Sequence, residues 1–212
     1  MGIMEHIEYL HTMGIVPWKL KTAAPEPQAL GWDVLRAKAT QCQACPLHQT
    51  RTQVVFGVGN QTAKLMLIGE APGFHEDQQG EPFVGRAGQL LNAMLASIGF
   101  NREQVYIANI LKCRPPNNRD PLPEEVSCCT PFLQQQITLV QPKLLLAVGR
   151  IAARYLLGTQ QSLTALRGKI HTHQETPLIV TYHPAYLLRN PSDKGKAFQD
   201  LQLAWDQVGV MS

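Results

Sequence analysis

The stretch LMLIGEAPGFHEDQQGEPFVGRAG, from Leu65 to Gly88, decides the fold that we predict for this chain. It opens with an apolar run typical of a buried strand, which then breaks sharply at the turn GEAPG. Carboxylates and an aromatic residue follow, and two glycines bracket the start of an amphipathic helix. An α/β protein places its chemistry in this way, because its ligands bind beyond the carboxyl ends of parallel strands. An ordinary strand–loop–helix connection explains the same pattern.

The composition is typical of a single globular domain. The 212 residues are 44% hydrophobic and 17% charged, and the net charge of +3 permits a nucleic-acid partner without requiring one. No apolar run approaches the ~20 residues that cross a bilayer. The N-terminus contains acidic residues and lacks the basic region of a secretory signal. We therefore expect a cytoplasmic protein with no membrane partner.

Strands alternate with helices along the chain, which predicts a parallel sheet covered on both faces. We expect a three-layer α/β sandwich with a central four-stranded parallel sheet. An N-terminal helix and linker are predicted over residues 1–30, and the folded domain over residues 31–212. The predicted strands cover residues 64–68, 105–111, 144–148 and 178–181, and the predicted helices cover residues 3–13, 32–40, 90–98, 124–139, 151–157 and 195–208.

Polar residues lie at the ends of three of these strands. The turn after the first strand contains Glu70, Asn109 lies near the end of the second, and His183 follows the fourth. Parallel topology brings these positions to one edge, which favours a common site. The amide of Asn109 donates and accepts side by side, which suits the edge of a nucleobase, although a structural asparagine fits as well. A lone histidine such as His183 is more often structural than catalytic.

The cysteines form a second constellation. Cys42 and Cys45 make a C-x-x-C pair, and Cys113 and Cys129 flank a proline-rich loop. Four thiolates can close a zinc site or hold an iron–sulfur cluster, and the spacing does not separate these two. Cys128 competes with Cys129 as the fourth ligand, because the two are adjacent. Buried free cysteines are the remaining alternative.

Three segments together strongly resemble the family-four uracil-DNA glycosylases, which carry a [4Fe–4S] cluster: GEAPGFHEDQQGEPFVGRAGQLLN, NILKCRPPNNRDPLPEE and YHPAYLL. The similarity covers about residues 32–207. It implies a monomeric DNA-repair enzyme that extrudes uracil from DNA and hydrolyses its N-glycosidic bond, leaving an abasic site. Residues 31–212 would then be the catalytic domain, with the cluster at one side.

The resemblance also implies roles for individual residues, matched by position. The substrate-binding residues would be Gly69, Glu70 and Ala71 as pocket wall and water site, Phe83 as stacking ring, Asn109 as reader of the uracil edge, and His183 against uracil O2. Glu76 would lie near C5 of the base, and the catalytic residues would be His183, Glu70 and Glu76. The cluster ligands would be Cys42, Cys45, Cys113 and Cys129. Position 71 is alanine where the better-known uracil glycosylases have aspartate, so no dedicated general base is expected there.

The chemistry of such a reaction suits these residues. His183 donating to O2 would stabilise the departing uracil anion. Leu187, Leu188 and Arg189 follow on a predicted loop and are candidates for a wedge that fills the vacated base stack. Two alternatives are a non-catalytic, metal-stabilised nucleic-acid-binding module and a redox enzyme. Neither needs Asn109, Phe83 and His183 at strand ends.

Overall fold

The structure, a computed structural model, describes Met13 and residues 31–210. The helix predicted over residues 3–13 and the linker that follows it lie outside this part of the chain, apart from Met13. Within the described residues, no helix has the length and apolar character needed to cross a bilayer.

Helices and strands alternate through the described residues. The helices are α1 (Trp32–Thr40), α2 (Phe74–Gln79), α3 (Arg86–Ala96), α4 (Pro123–Val140), α5 (Arg150–Leu157), α6 (Leu163–Leu166), α7 (Pro184–Arg189) and α8 (Lys194–Val210). The strands are β1 (Val58–Gly59), β2 (Leu65–Gly69), β3 (Tyr106–Asn109), β4 (Leu144–Val148), β5 (Ile170–His173) and β6 (Thr176–Thr181).

One sheet contains all six strands, in the order β1-β3-β2-β4-β6-β5. The four central strands are parallel, whereas β1 and β5 pair antiparallel at the two edges. The predicted four-stranded count is therefore wrong, although the four predicted strands form the parallel centre. The edge strands escaped prediction because β1 has two residues and β5 alternates between exposed and half-buried positions.

Helices cover both faces of the sheet and give two apolar cores. Because successive strand residues point to opposite faces, Met66 and Ile68 pack with α4 and α5, and Leu65 and Leu67 pack with α3 and α8. All five residues of β2 are buried, as are those of β4. A continuous apolar run is what a strand covered on both faces requires. The predicted three-layer arrangement is present.

The segment after His183 is a helix, which corrects the predicted loop. Pro184 occupies the first helical position of α7, where its missing N–H costs no hydrogen bond. His183 is the N-cap residue and accepts from the backbone N–H of Ala185. The helices α2 and α6 were also not predicted, and both have six residues or fewer.

Candidate active site

The carboxyl ends of β2, β3, β4 and β6 surround a cavity of about 730 Å³. The parallel topology dictates this meeting point, because each strand delivers its following loop to the same edge. Six of the residues singled out from the sequence line the cavity: Glu70, Ala71, Glu76, Phe83, Asn109 and His183. Gly69 lies behind them, and Arg189 lies on the wall.

Asn109 presents an unsatisfied acceptor to this cavity. Its side chain is 2% exposed, and Oδ1 has no hydrogen-bond partner among the described residues. A buried polar group without a partner costs about 1–3 kcal/mol. A Cβ at position 69 would collide with this Oδ1 and lie 2.7 Å from Cζ of Phe83, so glycine is required there. The arrangement suits a ligand that donates a hydrogen bond at this point.

Phe83 forms an aromatic wall of the cavity. Its φ is 54°, a left-handed conformation that costs a non-glycine residue about 1–3 kcal/mol. Arg102 donates hydrogen bonds to the carbonyl oxygens of Pro82 and Phe83 and stabilises this turn. A Cβ at Gly88 would collide with the Phe83 carbonyl, which explains that glycine. The Phe83 ring lies 5.5 Å from the His183 ring, between centroids.

His183 is a buried histidine in the cavity wall. Its pKa is lowered to about 4, mainly by burial and also by the charge of Arg189, with Glu76 opposing the shift. Nδ1 accepts from the backbone N–H of Ala185 at 3.1 Å, so the ring hydrogen resides on Nε2. The first residue after β4 is Gly149, at φ 97°, where an added Cβ would lie 3.0 Å from Cβ of His183. The close backbone approach holds the imidazole against the cavity.

The two predicted catalytic carboxylates have different surroundings. The pKa of Glu70 is raised to about 7, mainly by burial and also by the charge of Asp120, with Arg150 opposing both. Arg150 also pairs with Asp120 at 2.9 Å. The carboxyl of Glu70 therefore changes its charge near neutral pH.

Glu76 holds two loops together. Its Oε2 accepts from the N–H of Gly73 at 3.1 Å, and its Oε1 accepts from the N–H groups of Val84 and Gly85 at 3.0 and 3.3 Å. The carboxylate thus joins the turn after β2 to the turn before α3. This structural task was not anticipated from the sequence, which gave Glu76 a catalytic role only.

The cysteines line a second cavity. Cys42, Cys45, Cys113 and Cys129 all contribute, together with Cys128. An N–H of Arg51 donates to Sγ of Cys113, and the backbone N–H of Lys112 donates to Sγ of Cys129, each at 3.1 Å. Sγ of Cys128 instead donates to the carbonyl oxygen of Ala44 at 3.3 Å. Among the described residues, no three His, Cys, Asp or Glu side chains have the geometry for a single metal ion.

Comparison with known proteins adds to this geometry. The family model described as the uracil DNA glycosylase superfamily matches residues 56–208. The chain belongs to this superfamily. It is 45% identical over 167 residues to a type-4 uracil-DNA glycosylase from Archaeoglobus fulgidus, covering 75% of this chain and 83% of that protein. A type-4 enzyme from Thermotoga maritima is 45% identical over 164 residues, covering 76% and 85%. A type-5 uracil-DNA glycosylase from Thermus thermophilus is 31% identical over 135 residues, covering 55% and 61%. The resemblance to family four is confirmed.

The cysteine cavity offers sulfur donors for the metal group that the family-four resemblance implies. All four candidate ligands are sulfur, and N–H groups point at two of them, as outer-shell donors do in metal–sulfur sites. Burial raises the pKa of Cys129 to about 12, and it also raises the pKa of Cys113 and Cys45. A bound metal would replace the protons of these thiols and hold them as thiolates. The residues present therefore fit a metal–sulfur group.

One part of the predicted wedge is wrong for this uracil-DNA glycosylase family member. Leu187 is fully buried, because α7 turns it into the core beside α3 and α8. Leu188 is 38% exposed, and Arg189 lines the active-site cavity. A wedge built from these positions must therefore exclude Leu187.

Sequence reasoning missed the contribution of β4 and of the proline-rich loop. Gly149 and Arg150, directly after β4, line the cavity, as do Asn118 and Arg119. The strand LLLAV, at residues 144–148, also ends at this edge of the parallel sheet, and a Gly-Arg pair follows it. Arg119 is held by a two-pronged ion pair with Glu125, and no sequence signal revealed this.

Proposed function

We propose that this protein excises uracil from DNA: it extrudes the uracil nucleotide into the active-site cavity and hydrolyses the N-glycosidic bond, leaving an abasic site. The observation that carries the proposal is the buried, unsatisfied Oδ1 of Asn109 beside an aromatic wall and a neutral histidine. The type-4 relatives support the same reaction.

Asn109 selects uracil over cytosine. Uracil presents an N–H between two carbonyl oxygens, so Oδ1 of Asn109 accepts from N3–H while the amide donates to O4. Cytosine has no hydrogen at N3 and carries an amine in place of O4. Cytosine would leave Oδ1 of Asn109 unsatisfied, and its amine would face the amide N–H of Asn109, which is also a donor. Phe83 stacks on the extruded base, a contact worth about 1–3 kcal/mol.

His183 stabilises the departing base. Cleavage develops negative charge on uracil and positive charge on the sugar. The Nε2–H of His183 donates to O2 of the leaving uracil, and one such donor contributes about 2.7–4 kcal/mol in other enzymes. Ionised Glu70 favours the cationic sugar and orients water beside Ala71. Glu76 keeps the pocket loops in place and lies near C5 of the base.

Cys42, Cys45, Cys113 and Cys129 hold a [4Fe–4S] cluster. The four cysteines line one cavity, although no three described side chains have the geometry for a single ion, and they would supply the thiolate ligands that such a cluster needs. We assign Cys129 rather than Cys128 as the fourth ligand, because Sγ of Cys129 accepts a hydrogen bond from the backbone N–H of Lys112. When bound, the cluster cross-links the segment after α1 to the proline-rich loop.

The partner is uracil-containing DNA, and no membrane partner is involved. The protein acts as a monomer in the cytoplasm, with residues 31–212 as its catalytic domain. Leu188 and Arg189 lie at the end of α7, where Leu188 is exposed and Arg189 lines the cavity, and they fill the base stack that the extruded uracil vacates.

A uracil-release assay tests this function. Oligonucleotides of one sequence carry uracil, cytosine or thymine at a single position, and abasic sites are scored by alkaline cleavage. The expected result is release of uracil alone, with Asn109→Ala as the matched inactive variant. Binding of the uracil oligonucleotide without release would contradict the proposal and indicate a binding module.

A further inference from the structure

Lys112 is a buried cation without a carboxylate partner. Its side chain is 2% exposed, and Nζ donates to the backbone oxygen of Asn109 at 2.7 Å and to Oε1 of Gln136 at 2.6 Å. Both acceptors are neutral. The ion pairs found among the described residues do not include Lys112. The positive charge therefore lies in the protein interior with no negative side chain paired to it.

Such a charge needs compensation. An uncompensated ion in a protein interior costs several kcal/mol, because it loses its hydration. Lys112 lines the cysteine cavity, its backbone N–H donates to Sγ of Cys129, and Cys113 is its neighbour in sequence. Four thiolates around a [4Fe–4S] core leave a net negative charge. The group that fits this cavity thus supplies the counter-charge that the described side chains do not.

We propose that Lys112 is the buried counter-ion of the cluster, beside the more exposed Arg51, and, through the Asn109 carbonyl, the positioning residue that holds the base-reading amide. This inference rests on the proposed function. Lys112 touches neither the substrate nor the reacting atoms; it acts through Asn109 on one side and the cluster on the other. The cluster and base recognition are therefore coupled by a single ammonium group.

Gln136 fixes the ammonium in place. Its Nε2 donates to the carbonyl oxygen of Phe56 at 2.8 Å and to the hydroxyl of Tyr106 at 3.1 Å, so its Oε1 is oriented toward Lys112. Gln136 holds the same group without contributing charge. It therefore offers a control that disturbs the packing around Lys112 and leaves the charge in place.

The test compares Lys112→Met with Gln136→Met in the full chain, purified without oxygen. The readouts are iron per chain, the rate of iron loss to a chelator, the midpoint potential of the cluster, and kcat and KM for the uracil oligonucleotide. For Lys112→Met we expect iron retention to fall about 10- to 100-fold, the range found for outer-shell partners of metal sites. The potential should fall, because reduction then adds negative charge to a cluster that has lost one of its two neighbouring cations among the described residues and retains only Arg51. KM for uracil should rise more than kcat falls. Gln136→Met should lower Tm and leave the potential unchanged.

Several results would overturn the inference. One is a Lys112→Met protein with wild-type iron retention and potential. Another is an equal fall in potential for both variants, which would make the effect one of packing. If circular dichroism shows that Lys112→Met is unfolded, Lys112→Gln, neutral and able to donate, takes its place under the same expectations. Wild-type protein that releases uracil but contains no iron would overturn the inference and leave the glycosylase function standing.

Discussion

Replacing His183 with alanine removes two interactions of different kinds. The Nε2–H is the donor proposed for uracil O2, and Nδ1 caps α7 by accepting from Ala185. The first loss acts on the rate and the second on stability. Because the pKa of His183 is about 4, the imidazole is already neutral at working pH. The donor is thus preorganised and needs no proton uptake.

The two losses have separate magnitudes. Removing one preorganised donor costs about 10²–10³ in kcat, so His183→Ala should slow uracil release by at least a hundredfold. Removing an N-cap costs about 1 kcal/mol of stability. His183→Asn is the matched variant, because asparagine is a preferred N-cap and also carries an N–H donor. It should retain stability and lose less activity than alanine.

The assay is single-turnover release with enzyme in excess, beside binding of the uracil oligonucleotide and thermal unfolding. Affinity should be largely kept in His183→Ala, since phosphate contacts dominate binding to DNA. The reasoning is refuted if alanine loses affinity but not rate, or if asparagine is slower than alanine. It is also refuted if wild-type activity shows a titration near pH 6.5 that His183→Asn abolishes, because a neutral donor does not titrate there.

Three further predictions follow from the same geometry. The pKa of Glu70 is raised to about 7, so its carboxyl is protonated below that pH and ionised above it. Because the ionised form favours the cationic sugar, the rate of uracil release should rise with pH through 7. Glu70→Gln should flatten this step in the pH–rate profile. Arg150→Ala removes the charge that opposes the shift and should move the step to higher pH. A step that stays in place in both variants would exclude Glu70 as the titrating group. Asn109→Asp should narrow the preference for uracil over cytosine, measured as a ratio of kcat/KM, because a carboxylate only accepts hydrogen bonds; an unchanged ratio would show that the amide does not read the base. Cys129→Ala should lose iron by elemental analysis while Cys128→Ala keeps it, and the reverse result would exchange their roles.

The parallel centre of the sheet could be predicted because its strands are short apolar runs buried on both faces. Residues 144–148 needed no correction at all. The antiparallel edge Ile170–His173 could not be found in this way, since its partly exposed residues carry no apolar signal. Leu187 is buried because the segment after His183 forms the helix α7, where a loop was predicted from the sequence.

The parts of the candidate site that depend on strand topology alone could be predicted from the sequence. The parts that depend on hydrogen bonds from backbone N–H groups could not. Asn109 ends β3 and His183 follows β6, both in the parallel centre of the sheet, so their meeting needs no knowledge of side-chain contacts. The task of Glu76 depends on N–H groups eight and nine residues further along the chain, at Val84 and Gly85. Backbone donors have no signature in a sequence, and the structure alone shows which carboxylate they bind.

The Glu76 carboxylate joins two turns beside the cavity, one at Gly73 and one at Val84–Gly85. Separating the Gly73 turn, with Glu76 attached, from the Val84–Gly85 turn would break two hydrogen bonds to the carboxylate, each worth about 1.5–3 kcal/mol. The two turns are therefore coupled through one side chain. A base that enters the cavity meets a wall of fixed shape on this side.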